Sequence, residues 1–120
     1  MFKAARESGL KIAVHTCEFK GQEVEQELIM AFKPDRLGHC NYSTEDQYIR
    51  IAEMDIPVEV CPTSNMISLG AYSMTGLRNF KHLKQSNAKV AVCADDTGLF
   101  GINLSTELFE LARAFNLELE

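Results

Sequence analysis

A parallel α/β sheet covered by helices, amounting to about four βα units of a TIM (β/α)8 barrel, is the architecture this sequence predicts. Three observations predict it. Short apolar runs alternate with amphipathic helical stretches four times over, the pattern of strand–helix–strand crossovers. The runs are apolar on both faces, as strands buried within a parallel sheet are. Polar residues capable of chemistry fall just after these runs, and in a parallel barrel the carboxyl ends of the strands share one rim. An open doubly wound sheet would want a glycine-rich phosphate turn after its first strand. The sequence contains neither G-x-G-x-x-G nor a P-loop.

The elements follow in order. Residues 2–8 read as a helix, with Gly9 as the glycine just past its end. Residues 11–15 form the first apolar run. A helix is predicted over about 22–32, with Val24, Leu28, Ile29 and Phe32 on one face at helical spacing. Pro34 and Asp35 break it, and residues 36–39 make a very short second strand. Ser43 or Thr44 offers an N-cap to a helix reaching about Met54, with Asp46 or Gln47 near its third position. Residues 57–61 are the third strand, closed by Pro62. The stretch 63–76, rich in Ser, Gly and Asn, is predicted as a long loop. A helix over about 77–86 leads to the last strand at 89–93. After the Asp95-Asp96-Thr97-Gly98 turn, Ser105 is expected to cap a final amphipathic helix to about Phe115.

Composition narrows the function classes. At 120 residues the chain is one domain's worth of sequence or less. Its 46% hydrophobic and 24% charged residues are those of a globular protein and exclude a disordered acidic tail. The net charge of −5, with scattered lysines, builds no basic stripe, so a nucleic acid polymer is not an expected partner. No apolar run approaches the ~20 residues needed to cross a bilayer, and the first residues lack the apolar core of a secretory signal. Cys17, Cys40, Cys61 and Cys93 form no CxxC pair, which argues against a structural zinc cluster. Four reduced thiols in a cytoplasmic protein are expected, with Cys61 and Cys93 in the core.

Chemistry concentrates at the strand ends. The first strand runs into His15-Thr16-Cys17-Glu18, the second ends in His39, the third precedes Ser64-Asn65, and the fourth runs into Asp95-Asp96. Taken singly, each has a plain structural role: a satisfied strand-end histidine, a carboxylate in the first turn of a helix, an Asp turn. His82, mid-helix, reads as a surface residue. Jointly, two imidazoles and three carboxylates on one rim resemble a hydrolytic metal site, where a bound divalent ion would lower the pKa of water towards ~7.

These residues carry a resemblance. His15-Thr16-Cys17-Glu18 resembles the H-A-G-E motif of adenosine deaminases, and Arg36-Leu37-Gly38-His39-Cys40 their R-I-G-H-G motif. Cys61-Pro62-Thr63-Ser64-Asn65 resembles the C-P-x-S-N segment, and Asp95-Asp96 the T-D-D-P turn. The four motifs stand in the family's order and cover essentially the whole chain. The surroundings of Asp95 look most like the adenosine deaminase-like branch, which deaminates N6-substituted AMP such as N6-methyl-AMP. The resemblance implies a partial metal-dependent hydrolase domain over residues 1–120, barrel strands five to eight, with Zn2+ as cofactor. It makes His15 and Asp95 zinc ligands. It makes His39 the residue that orients the attacking water and handles its proton, and Glu18 the acid that protonates purine N1. Asp96 would hydrogen-bond N7 and so bind the substrate, a purine nucleoside or nucleotide.

Two departures stand out against the family pattern. Cys17 and Cys40 occupy positions where the family has glycine, so a side chain there is expected to crowd the pocket or alter backbone angles. The family's H-x-H pair, which supplies two further zinc ligands, has no counterpart in this sequence. The chain therefore reads as an incomplete copy with little activity alone, the alternative being a non-catalytic half-barrel that binds a partner or purine. Its open sheet edges are expected to associate, with another copy or with the missing half-barrel.

Overall fold

The computed structural model describes residues 1–118. Helix α1 (Phe2–Glu7) precedes β1 (Ala13–Thr16), α2 (Glu23–Phe32), β2 (Arg36–His39), α3 (Glu45–Glu53) and β3 (Val58–Val60). Helix α4 (Pro62–Leu69), a 3-10 turn (Met74–Gly76), α5 (Arg78–Gln85), β4 (Val90–Val92), α6 (Thr97–Phe100) and α7 (Leu104–Phe115) complete the order. The four strands form one sheet in the order β1-β2-β3-β4, every pair parallel. A doubly wound sheet reverses its strand order at a switch point. Here each strand lies beside the next in sequence, which is the order a barrel needs.

Alternation along the strands divides the sheet into two faces. Leu37, Val58 and Val60 are fully buried and pack with Met30, Ile51 and Leu83 of the helices. The opposite face carries His15, Gly38 and the Arg36–Glu59 ion pair, 3.2 Å from Nε to Oε1. Gly38 is required there, because a β-carbon on it would lie 2.6 Å from Cδ2 of His15. The ring of His15 is thus seated directly over the backbone of β2.

Local signals were honoured in most places. Gly9 has φ +77, with Gly9 N–H donating to the Arg6 carbonyl and Leu10 N–H to that of Ala5, a Schellman ending. Thr44 is the N-cap of α3 and forms a reciprocal capping box with Gln47. Three expectations are corrected. The predicted loop 63–76 contains α4, with Pro62 in its first turn and Gly70 ending it in the left-handed conformation. The cap of α7 is Asn103, whose Oδ1 accepts from Thr106 N at 3.0 Å; Ser105 falls inside the first turn. Helix α2 buries Gln26 and Met30, while Val24 and Leu28 are 77% and 72% exposed. That helix packs on β1, the edge of the sheet, so its apolar stripe faces past the edge. There it borders a groove lined by Phe2, Val14, Leu28 and Phe32.

Candidate active site

The carboxyl ends of the strands converge on His39. Its Nε2 lies 3.2 Å from His15 Nδ1 and 3.9 Å from Glu18 Oε2. The two rings meet edge to face with centroids 4.6 Å apart. His39 also shares a second donor cluster with Cys61 and Asp95, all within 4.8 Å of one another, just as His15, Glu18 and His39 are. Four of the five residues read from the sequence therefore meet around one imidazole. The fifth, Asp96, is exposed at the N-cap of α6 and its side chain makes no cap hydrogen bond.

His39 is 1% exposed and held in one protonation pattern by its neighbours. Cys61 N–H donates to Asn65 Oδ1 at 3.1 Å, which fixes the orientation of the Asn65 amide, since a backbone N–H only donates. Asn65 Nδ2 then faces His39 Nδ1 at 2.9 Å, so Nδ1 is the acceptor and the neutral ring carries its proton on Nε2. That proton points to His15 and Glu18. Burial holds the His39 imidazole below its ordinary pKa, while the Glu18 carboxylate pulls it back up. Asn79 completes the support: its Nδ2 lies 2.9 Å from the His39 carbonyl, 2.9 Å from Asn41 Oδ1 and 3.0 Å from Asn65 Oδ1. Its own Oδ1 is buried without a partner.

The backbone here is strained in a concentrated way. Cys17, His39, Cys40 and Asp95 have φ of 47°, 63°, 52° and 54°, a region that costs a residue with a β-carbon about 1–3 kcal/mol. The strain turns the chain sharply at the ends of β1 and β2 and just beyond β4, and presents His39 and Asp95 to the rim. Of the two effects expected of Cys17 and Cys40, the altered backbone angles are the one observed. Cys17 and Cys40 are both 0% exposed, and burial pushes their thiols up to about 11 and about 12. Cys61 is buried as predicted, but Cys93 is only half-buried. His82 is half-buried too, its ring stacked on Tyr48 at 5.0 Å and 7°.

Asn65 both ties the turn to Cys61 and orients His39. Asn79 was missed altogether. No signal marks it, because an Asn opening a helix usually faces water.

The donor set suits a divalent ion of borderline softness: imidazole, carboxylate and a thiol within 4.8 Å of one another. No helix among the described residues is long and apolar enough to cross a membrane.

Comparison with known proteins agrees with this geometry. The adenosine deaminase family model matches residues 1–120. The chain is 36% identical over 115 residues to N6-Methyl-AMP deaminase-L of Xenopus laevis, covering 94% of this chain and 33% of that protein. It is 34% identical over 113 residues to the adenosine deaminase-like protein of Drosophila pseudoobscura pseudoobscura, again 94% and 33%. Among solved structures, arabidopsis ADAL in complexes with IMP and with GMP superposes with a TM-score of 0.86 at 27% identity, covering 97% of this chain and 34% of that one. These neighbours are (β/α)8 barrels, so the four parallel strands are part of such a barrel. The chain spans about a third of the length of the relatives it matches. This chain belongs to the adenosine deaminase family, a family of metal-dependent aminohydrolases.

Proposed function

We propose that this chain supplies the acid–base half of a zinc-dependent aminohydrolase that removes the C6 amino group of an adenine nucleotide, with N6-methyl-AMP or AMP-like substrates preferred over adenosine. The observation that carries the reading is the convergence of His15, Glu18 and Asp95 on a buried His39 whose Nε2 proton is fixed by Asn65. His15 and Asp95 hold the zinc ion, together with ligands from the remaining strands of the barrel. Zinc, when bound, supplies a water that is nucleophilic at neutral pH.

The chain's own residues do the rest. His39 orients the attacking water through a hydrogen bond donated by its Nε2–H. Glu18 delivers a proton to purine N1, which makes C6 electrophilic. Asp96 places the ring through a hydrogen bond to N7. The new C6–O bond forms and the C6–N bond breaks; of the two protons of the water one leaves with the amine and the other returns to Glu18, and an inosine-type product with its proton on N1 remains. Nucleotide rather than nucleoside substrates are supported by the N6-methyl-AMP deaminase relatives and by the IMP and GMP bound to the arabidopsis protein.

In the full barrel the free edges of β1 and β4 pair with the remaining βα units. The test is a chimera in which this chain replaces the matching third of the Xenopus enzyme. Deamination of N6-methyl-AMP, followed as methylamine release, is the expected result. A folded chimera that binds zinc yet releases no methylamine overturns the assignment.

A further inference from the structure

We propose that Cys17 and Cys40 are a cross-strand thiol pair that closes to a disulfide between the ends of β1 and β2 when the protein meets hydrogen peroxide. The register places them together. Thr16 and His39 are partners in the β1–β2 ladder, and Cys17 and Cys40 are the next residue on each strand. The two backbones stay side by side beyond that pair: Cys40 N–H donates to the Thr16 carbonyl at 3.1 Å, and Tyr42 N–H to that of Cys17 at 2.9 Å. Adjacent strands lie about 4.8 Å apart, within the about 4.4–6.8 Å Cα separation that a disulfide spans.

Side-chain direction agrees. Both residues take the left-handed conformation, φ 47° and 52°, so both side chains leave the ladder in the same sense. Both are fully buried with the Ser43 hydroxyl beside them, and Gln26 Nε2 donates to Cys40 Sγ at 3.6 Å. Glycine is the residue such a backbone favours, yet each position carries a thiol. Cys61 and Cys93 lie beyond the ends of β3 and β4, away from this cluster.

The chemistry balances with peroxide as the oxidant. Local opening at the strand ends admits peroxide to the pair, which is buried at rest; one sulfur then attacks a peroxide oxygen, the O–O bond breaks, and a sulfenic acid and one water result. The second sulfur attacks the sulfenic sulfur, the S–S bond forms, the S–O bond breaks, and a second water leaves. The two thiols together give up two electrons and two protons. The product would tether Glu18, next to Cys17, to His39, next to Cys40.

The experiment exposes the native 120-residue chain to hydrogen peroxide, blocks remaining thiols after unfolding, and maps tryptic peptides by mass spectrometry. Trypsin separates the two cysteines at Lys20 and Arg36. The expected result is a Cys17–Cys40 linked peptide as the dominant cross-link, against a mixture of pairings from the chain treated in urea. Cys17→Ser and Cys40→Ser should each remove that peptide. Recovery of both residues as blocked thiols or as separate sulfinic acids overturns the proposal. A native pattern no more selective than the unfolded control does so too.

Discussion

Replacing His39 with alanine in the chimeric barrel is expected to lower kcat for N6-methyl-AMP by about 10²–10⁴-fold, the usual worth of a positioned acid–base group, with zinc content retained. Nε2 of His39 is the one atom that faces both His15 and Glu18, so its loss removes the donor that orients the water and leaves His15 and Asp95, the proposed zinc ligands, in place. A finer variant separates chemistry from scaffolding. Asn65→Asp keeps the Oδ1 that accepts from Cys61 N–H but turns the donor facing His39 Nδ1 into an acceptor. The ring must then carry a proton on Nδ1, so the neutral ring no longer donates from Nε2, and kcat should fall as pH rises through the imidazole's titration while KM changes little. An unchanged pH profile in Asn65→Asp would show that this amide only props up the turn.

Leu37→Ala is expected to destabilise the chain by about 2–5 kcal/mol, the range for removing a large buried aliphatic side chain. Leu37 is 0% exposed at the centre of the cluster formed by Met30, Tyr48, Ile51 and Val58. Small domains hold only about 5–15 kcal/mol in total, so this single truncation threatens the fold. It also lies two residues before His39 on β2, so loosening there unsettles the site before global unfolding. Urea unfolding followed by circular dichroism measures it, and a loss below about 1 kcal/mol would mean that β2 is not the keel of the sheet.

The strands and most of the site were legible because each depends on local pattern. Apolar runs ending in His15, His39 and Asp95 announce buried strands with chemistry at their tips, and parallel geometry brings such tips together. What the sequence hid depends on partners far along the chain. Helix α4 was masked by its Ser and Asn content, although Pro62 and Gly70 mark its start and end as clearly as any helix. Composition outweighed punctuation there. The exposed stripe of Val24 and Leu28 looked like a core face because periodicity reports amphipathicity, not which neighbour covers it. The same holds for Asn79, whose contacts with His39, Asn41 and Asn65 span 40, 38 and 14 residues. Cys17 and Cys40 are a different case. The expectation of special backbone geometry was right, and both side chains are fully buried.

Metal analysis of the chimera and its variants bears most directly on a common ion held between His15 and Asp95. About one zinc per molecule is expected for the unmodified chimera, falling well below stoichiometric in His15→Ala and in Asp95→Ala but not in His39→Ala. Full zinc in both ligand variants, or its loss only when His39 is replaced, would contradict the site described.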